Sequence, residues 1–472
     1  MPAHLFALAG GAVLAAVAGV ASYSVVRYHP GIVATYAVAA AVLAAALLST
    51  VPGRTRARWM GIRQVAPAGA LICSGVITAI VPVFTYLPAE QAGLVRGILA
   101  TAAVLTGSLL LAPSGIPGIP RGPRGASRVA AAVLATASCG HVAAAVLLIR
   151  GDPAPEIDVW YTLQGAADAL GAGRNIYTEV WVGPPGVMAA FTYLPWTALL
   201  LAPGRWLAGD VRVALVTITV VSAVALSLPG RSSERRDGGE RASSGERTAS
   251  GHDPRVGAGA GAVLLLLPGT ATQIEQAWTE PLLAACLVVA ARALRDERWS
   301  RAIIALAIGL ACKQHLALLL PLLAAWPRFG VRRALVTAAT AGLAVLPWLL
   351  ADPRAMIEDT VAVLVRYPPM RFADSLYILS LNEFGWMPPF WLTGVVVLGV
   401  LGAVVAHLRR HDPSPAQVLG WGACVLLVAN LVNKQAFYNQ YWLVMAMIAI
   451  GWALAPTGGP GLRSGRLDRS VP

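Results

Sequence analysis

Two acidic side chains, Glu156 and Asp158, stand just beyond one apolar stretch, where the segment DVWYTLQGAADAL (158–170) begins. A carboxylate in this position can take a proton from a hydroxyl group or hydrogen-bond to a polyhydroxylated molecule. The structural alternative is that Asp158 caps a helix and Glu156 is a solvated loop residue. Apolar side chains recur in 158–170 at helical spacing, which predicts a short amphipathic surface helix. A glycine-rich turn then leads to Tyr177, another candidate contact for a polar ligand.

Lysine is rare in this sequence, since only Lys313 and Lys434 are lysines among 36 basic side chains. A compact ammonium group suits a point contact with an anion, although chance retention in an arginine-rich composition is an open alternative. Lys313 lies inside an apolar run beside His315, where a cation needs water, a carboxylate or a phosphate as its partner. Lys434 ends another apolar run near Tyr438, and it could simply extend its ammonium group to the surface.

Further polar side chains stand at the ends of apolar segments. The stretch TQIEQAWTEP (272–281) contributes Gln276 and Glu280, and RYPPMRFADSLY (366–377) contributes Arg371. Polar groups so close to hydrocarbon are costly and usually have partners or a function. Glu280 could equally cap a helix, and 366–377 could be a surface loop anchored by its aromatic rings. Carboxylates suit proton transfer and hydroxyl binding, and cations suit phosphate.

The elements that must position these groups are membrane helices. The 472 residues are 57% hydrophobic and 12% charged, whereas about 25% charged residues is usual for a soluble domain. The net charge of +13 does not indicate nucleic acid as a partner, because the arginines lie in short loops between apolar runs, as in cytoplasmic loops of membrane proteins. The five cysteines fall in apolar segments without metal-ligand spacing, so we expect neither disulfides nor zinc.

We therefore expect an all-α polytopic membrane protein with about 12 to 14 hydrophobic helices and short surface helices on one face. The first apolar run lacks a basic start and a convincing cleavage site, and we expect it to be a retained helix. The expected apolar segments are 5–26, 31–51, 65–87, 94–112, 129–149, 186–203, 211–229, 257–272, 273–291, 302–326, 334–350, 388–407, 414–432 and 441–456.

The arginine-rich connectors predict which loops face the cytoplasm. The first four segments form an expected N-terminal region, 1–128, followed by a membrane core, 129–456. Both chain ends, the tail 457–472 and a disordered loop 230–256 are expected in the cytoplasm. The outer side is expected to carry the acidic loops 150–185 and 351–387.

The crossings do not alternate correctly if every apolar segment spans the bilayer. One short segment, 186–203 or 257–272, is therefore expected to be re-entrant or interfacial. The segment 302–326 lies between two basic loops, which favours a hairpin of two half-helices with Lys313 near its turn. Irregular backbone at such depth requires a protein or water environment, so this turn is a candidate cavity.

These stretches resemble glycosyltransferase family 87, the polyprenol-phosphate-mannose-dependent mannosyltransferases of the GT-C membrane superfamily. The resemblance rests on the outer-loop acid followed by ADALGAGRNIY, FTYLPWTALLLAP and GLACKQHLALLLPLL, and it covers roughly residues 130–450. YLPW (193–196) departs from the commoner Tyr-Pro-Pro, and QIEQAW only roughly fits the Gln-x-Asn of the family.

The resemblance implies a GT-C-like fold and inverting transfer of a sugar, mannose in this family, from a polyprenyl-phosphate donor to an envelope glycan or glycolipid on the outer face of the plasma membrane. By position Asp158 would be the general base, and Lys313, with Arg371 or Lys434, would bind the donor phosphate. The candidate sugar- or acceptor-binding residues are Glu156, Tyr177, Gln276, Glu280, His315 and Tyr438. No cofactor is expected, because cations alone can serve a monophosphate leaving group, although Glu156 and Asp158 could chelate a divalent ion.

A multi-pass transporter or flippase for a lipid-linked or small polar substrate is the main alternative. It would predict inverted repeats and acidic residues near the membrane midplane. Here the acids gather on one side and no repeat is visible. A structural membrane protein is a further alternative, and it would leave the polar groups apart in space.

Overall fold

The computed structural model describes residues 3–23, 25, 27–49, 56–81, 85–112, 123–183, 189–228 and 254–454. Within these residues the regular secondary structure is helical, so the expected all-α fold is confirmed. Most of the predicted loop 230–256 and the predicted tail 457–472 lie outside the described residues. The helices are α1 (Ala3–Ser22), α2 (Pro30–Leu48), α3 (Arg56–Ile80), α4 (Ala89–Leu111), α5 (Pro123–Gly151), α6 (Asp158–Gly171), α7 (Pro195–Ala208), α8 (Val211–Ser227), α9 (Pro254–Leu266), α10 (Thr270–Glu275), α11 (Glu280–Arg295), α12 (Trp299–Cys312), α13 (Leu319–Ala325), α14 (Gly330–Ala351), α15 (Pro353–Ile357), α16 (Val363–Arg366), α17 (Leu376–Phe384), α18 (Phe390–Arg410), α19 (Pro415–Leu431) and α20 (Tyr438–Leu454).

The lengths and compositions of these helices fit a multi-pass membrane protein. Five described helices (α2, α4, α5, α14 and α18) are long and apolar enough to cross a bilayer, or six if the bent pair α7–α8 forms one span. Shorter apolar helices, among them α9, α12 and α19, accompany them. The polytopic membrane fold is thus confirmed, while the full number of crossings stays a prediction.

Arginine-rich connectors meet at one end of the bundle, which we call the arginine end. Arg292 donates a hydrogen bond of 2.7 Å to the carbonyl oxygen of Leu228 after α8. Arg328 pairs with Asp412 at 2.9 Å, which joins the loops before α14 and α19. The end that carries α6, α10 and α15–α17 is the site end. Which end faces the cytoplasm stays a prediction from the arginine content.

The segment between the two arginine-rich loops turns back on itself, as the sequence predicts. Helix α12 ends at Cys312, a 3₁₀ turn covers Gln314–Leu318, and α13 returns. The rings of Trp299, where α12 begins, and Phe329, just after α13, lie 6.2 Å apart, so both arms of the hairpin end at the arginine end. The turn therefore places Lys313 at the tip of the hairpin, inside the bundle.

Of the two segments expected to be re-entrant, 186–203 contains most of α7, which meets α8 at an angle of 113° as in a broken span or a re-entrant loop; which segment is re-entrant stays a prediction. Gly209 allows this bend because its φ of +82° is the left-handed conformation that glycine adopts without strain. The predicted bounds 186–203 were wrong, since the helix begins only at Pro195. The predicted boundary between 257–272 and 273–291 was also wrong, because α10 crosses it and the turn follows at Gln276–Thr279.

The predicted surface helix is α6. Its apolar face is buried, with Leu163, Ala166 and Ala167 fully inaccessible to solvent. Its polar side joins α7, where Arg205 pairs with Asp168 at 2.8 Å. Packing of the apolar face, and not this exposed ion pair, therefore fixes the orientation of α6 and of the acidic residues at its start.

The N-terminal helices pack closely through small residues. A Cβ atom on Gly11 of α1 would lie 1.9 Å from the carbonyl oxygen of Ala66 in α3, so only glycine allows this approach. Helices α3 and α4 in turn contact α9 and α5 of the predicted core. The predicted boundary at residue 128 falls inside α5, and the division into two regions stays a prediction.

Candidate active site

Lys313 and Glu280 form a buried ion pair at the centre of the site. The Nζ atom of Lys313 lies 2.6 Å from Oε1 of Glu280, and their side chains are 15% and 0% exposed. Lys313 follows the last residue of α12, where the helix is broken, and Glu280 is the first residue of α11. The two ends of separate helices thereby bring together groups that the sequence assigned to different roles.

The second carboxylate oxygen of Glu280 has no hydrogen-bond partner among the described residues. A buried carboxylate oxygen without a donor is costly, so this atom is a candidate contact for a bound hydroxyl group. Thr279 next to it has a buried hydroxyl that likewise finds no partner in the described part of the chain. Unsatisfied polar atoms next to an ion pair favour a binding site over a purely structural pair.

An extended segment, 191–194, crosses the tip of the hairpin. Leu194 N–H and the Thr197 hydroxyl both donate to the carbonyl oxygen of Cys312, at 3.0 and 2.7 Å. That carbonyl belongs to the last turn of α12, where no further helical N–H can reach it. Proline at position 195 starts α7 directly after this contact. The segment therefore caps the broken helix and holds Lys313 in place.

Tyr193 connects the ion pair with the acidic loop. Its ring is buried, and the Lys313 ammonium lies 5.2 Å from the ring centroid. Burial raises the pKa of Tyr193 well above its ordinary value, and the charges of Glu280 and Asp158 raise it further. Tyr193 is therefore neutral, and it lies within electrostatic range of both carboxylates. Sequence analysis quoted YLPW but did not single out this tyrosine.

Asp158 is the first residue of α6 and is half-buried. Its Oδ1 atom accepts from the N–H of Val159 at 2.9 Å, whereas the residue at the N-cap position is Ile157. Burial raises the pKa of Tyr367, and the negative charge of Asp158 adds to the shift. Asp158 is therefore not the N-cap of α6, and its charge acts on both Tyr367 and Tyr193.

Asp359 is a further acidic residue at the site. Sequence analysis placed it in the acidic loop 351–387 but did not single it out. It lies in a π-helical turn, Glu358–Ala362, and its Oδ2 atom accepts from the N–H of Phe191 at 3.1 Å. Burial raises the pKa of Asp359 to about 6, against the lowering effect of that hydrogen bond. π-Helical turns are rare in proteins overall, but many of those that occur lie at functional sites. This signal is visible in the structure and not in the sequence.

The other two predicted phosphate ligands contact residues of the outer loops. Lys434 donates to the carbonyl oxygens of Val365 and Tyr367, at 2.7 and 2.5 Å. Arg371 is exposed, and its guanidinium lies 3.4 Å from Oδ1 of Asn382. The described contacts of both residues therefore hold the outer loops, and their binding of phosphate stays a prediction.

Three of the five remaining predicted ligands hydrogen-bond to other residues of the protein. Tyr177 donates to the carbonyl oxygen of Tyr193 at 2.9 Å, and Tyr438 to that of Pro268 at 2.5 Å. Gln276 donates to Glu275 at 3.2 Å. His315 is half-buried in the 3₁₀ turn after Lys313, and Glu156 is exposed. Tyr177, Tyr438 and Gln276 thus support the walls of the site.

A second buried ion pair, also missed from the sequence, supports the acidic loop. Arg212 is fully buried and pairs with Asp210 at 2.7 Å. It also donates to the carbonyl oxygens of Asp152, at 2.8 Å, and Glu275, at 3.4 Å. The sequence pattern that could have revealed this ion pair is Asp-x-Arg at the start of α8. This arginine ties the loop before α6 to α10.

The sequence model of glycosyltransferase family 87 matches residues 191–432, just over half of the chain. The chain belongs to glycosyltransferase family 87. A Bacillus subtilis (strain 168) protein named "Putative mannosyltransferase YycA" is 31% identical over 80 residues, which make up 15% of this chain and 11% of that protein. The chain thus spans about a tenth of that relative's length. No solved structure matches the chain.

This member of family 87 is a polytopic membrane protein. The matched region contains the Lys313–Glu280 pair, Tyr193 and Asp359. Asp158 and the four N-terminal helices lie before it. The charge of Asp158 adds to the raised pKa of Tyr193, so the candidate site includes residues from both parts.

Proposed function

We propose that this glycosyltransferase moves mannose from a polyprenyl-phosphate donor to an envelope glycan or glycolipid, on the extracytoplasmic face of the plasma membrane. The observation that supports this most is the Lys313–Glu280 pair beside the buried ring of Tyr193, whose pKa the charge of Asp158 also raises. Sugar transfer from a lipid phosphate needs a carboxylate to accept a proton and a cation to bind the leaving phosphate. The site offers both next to one buried ring.

In the proposed reaction, an acceptor hydroxyl attacks the anomeric carbon while the bond from that carbon to the phosphate oxygen breaks. The configuration at the anomeric carbon is thereby inverted. Asp158 takes the hydroxyl proton, and the electron pair of the broken bond remains on the lipid phosphate. Lys313 binds that phosphate, since its ammonium group has three N–H donors and gives one to Glu280.

Glu280 has two roles in this proposal. Its Oε1 atom holds the Lys313 ammonium, while its second oxygen accepts a hydroxyl of the donor sugar. Glu156 and His315 are proposed as further contacts to the sugar or acceptor. Arg371 and Lys434 remain candidate phosphate ligands that would reach the donor from the outer loops.

The donor brings its own lipid, which explains why the enzyme is a membrane protein. A polyprenyl chain stays in the hydrocarbon, and its phosphate lies at the headgroup level where α6 and the outer loops meet the bundle. The arginine end would then face the cytoplasm. We propose that no metal is needed, because ammonium groups stabilise the monophosphate; chelation with EDTA should leave the rate unchanged.

The test is sugar transfer by the purified full-length protein in proteoliposomes. The donor is a short-chain polyprenyl phosphomannose with radiolabelled mannose, and the acceptor is a membrane fraction from a deletion strain. We expect Asp158→Asn to lower kcat by about 10²- to 10⁴-fold. Asp168→Asn, on the same helix but in an exposed ion pair with Arg205, is the matched control.

Undiminished turnover of Asp158→Asn would reject the assignment of the general base. Donor translocated without product would instead support the flippase alternative. Donors that carry glucose or arabinose in place of mannose decide the sugar.

A further inference from the structure

Residues 85–88, just before α4, link the N-terminal region to the site end of the core; we call them the α3–α4 loop. The N–H of Tyr86 donates to Oε1 of Glu275 at 2.8 Å, and the hydroxyl of Thr85 donates to the same oxygen. Thr85 is held in turn by the N–H of Leu87, at 3.1 Å from its hydroxyl oxygen. A region outside the family match therefore provides two donors to a residue inside it.

Glu275 needs these donors because it is fully buried. Among the described residues its carboxylate has no ion pair within 4.0 Å, and its donors are Thr85, Tyr86 and the side chain of Gln276. A buried carboxylate is costly unless hydrogen bonds compensate for its lost hydration. Two of its three donors come from the α3–α4 loop, so this loop is bound firmly to α10.

The side chain of Tyr86 extends from this anchor to the acidic loop. Its hydroxyl donates to the carbonyl oxygen of Glu156 at 3.2 Å, two residues before Asp158. Burial raises the pKa of Tyr86, and the charges of Glu275, Glu156, Asp152 and Asp158 add to the shift. The hydroxyl is therefore a neutral donor that lies close to the carboxylates of the site.

Arg212 makes the corresponding connection from the core, since it binds the carbonyl oxygens of Asp152 and Glu275. The segment 152–158 is thus tied to α10 twice, once by Arg212 and once by Tyr86. Only the tie through Tyr86 comes from the first 128 residues. Its backbone contact is the one nearer to Asp158 in sequence.

We propose that Thr85 and Tyr86 of the α3–α4 loop are part of the active site and that Tyr86 is a positioning residue for the backbone that carries Asp158. This inference rests on the proposed role of Asp158 as general base. The N-terminal region then serves catalysis directly: it fixes the position from which the base meets the acceptor hydroxyl. It leaves binding of the donor to the core.

The test is the transfer assay described above, with the full-length protein and the same radiolabelled short-chain donor. Tyr86→Phe removes the hydroxyl that binds Glu156 and keeps the ring. We expect it to lower kcat about five- to tenfold, the range for loss of one hydrogen bond, without changing KM for the donor. Tyr23→Phe, an exposed tyrosine of the same region, is the matched control and should leave kcat unchanged.

The double variant Tyr86→Phe/Asp158→Asn separates positioning from general stabilisation. If Tyr86 acts through Asp158, the double variant should be no slower than Asp158→Asn alone, whereas an unrelated effect would multiply. A multiplied loss, a raised donor KM, or a kcat equal to that of Tyr23→Phe would overturn the inference.

Thr85→Val, with exposed Thr101→Val as its control, provides a second probe of the same loop. It loosens the anchor on Glu275, and we expect the same decrease in kcat at constant donor KM. An active Asp158→Asn enzyme would reject the proposed base. Full activity of Tyr86→Phe and Thr85→Val with an impaired Asp158→Asn would reject only the inference about the loop.

Discussion

The ammonium of Lys313 lies 2.6 Å from the carboxylate of Glu280, and both groups stand at interruptions of helices within the bundle. A lysine in an apolar run must find a charged or polar partner, and the protein supplies one from the start of another helix. The pair orients the ammonium group, while one oxygen of Glu280 is left without a partner among the described residues. In the proposed reaction, stability and substrate binding therefore depend on the same two side chains.

Replacement of Lys313 by methionine should separate these two contributions. The single variant leaves the Glu280 carboxylate buried without its cation, and we expect a loss of about 3–5 kcal/mol in the free energy of unfolding. The double variant Lys313→Met/Glu280→Gln removes both charges and should recover most of that loss. Sugar transfer should stay at least about 100-fold reduced in both, because the phosphate has lost its cation.

Thermal unfolding in detergent and the transfer assay measure these two effects side by side. As a control, Arg328→Gln breaks the exposed ion pair with Asp412. It should lower the free energy of unfolding by no more than about 1 kcal/mol. Restored turnover in the double variant would contradict the role of Lys313 in binding phosphate.

Tyr193 should act through its ring more than through its hydroxyl. Tyr193→Phe keeps the aromatic face 5.2 Å from the Lys313 ammonium, and we expect kcat to change by less than about threefold. Tyr193→Leu removes that face and should lower kcat by at least about tenfold. Steady-state kinetics of the two variants decide the point, and a Phe variant as impaired as the Leu variant would show that the hydroxyl is needed.

Much of the architecture could be predicted from the sequence because the bilayer limits the choices. Apolar runs predicted the helices, and helical spacing predicted the buried face of α6. The position of 302–326 between two basic loops predicted the hairpin with Lys313 at its tip. In each case a local sequence pattern, together with the constraints that a bilayer imposes, was sufficient for the prediction.

The partners of the charged residues could not be predicted in the same way. Glu280 and Lys313 are 33 positions apart, and Tyr86 and Glu156 are separated by 70. Such contacts depend on how helices pack, which single-sequence periodicity does not report. For the same reason the contacts of the Lys434 ammonium with two backbone carbonyl oxygens were not foreseen, while its binding of phosphate stays a prediction.

Those contacts lead to a prediction for Lys434. Lys434→Met releases the carbonyl oxygens of Val365 and Tyr367, and Tyr367 lies within electrostatic range of Asp158. We expect a lower melting temperature and a kcat decreased about three- to tenfold, with the donor KM changed less than twofold. Lys434→Arg keeps the donors and is the control. A donor KM raised as much as in Lys313→Met would instead support the phosphate-binding role predicted from the sequence.

Asp359 should make the stability of the folded enzyme depend on pH. Burial raises its pKa from an ordinary value near 4 to about 6, so between these values the folded protein holds a proton that the unfolded chain has released. The free energy of unfolding must then fall as the pH rises through this window, and it levels off above it. Since Asp359 is only half-buried, solvent screening limits this contribution to about 1 kcal/mol.

Asp359→Asn cannot titrate, yet its side-chain oxygen can still accept from the N–H of Phe191. Relative to the wild type, its stability should therefore increase by about 1 kcal/mol between pH 4.5 and pH 7. Thermal unfolding of the detergent-solubilised proteins across this range measures the difference. Asn382→Ala, in the same outer loop, adds no titrating group and should differ from the wild type by a constant amount. A difference that stays constant for Asp359→Asn as well would mean that Asp359 is ionised throughout, as an exposed carboxylate would be.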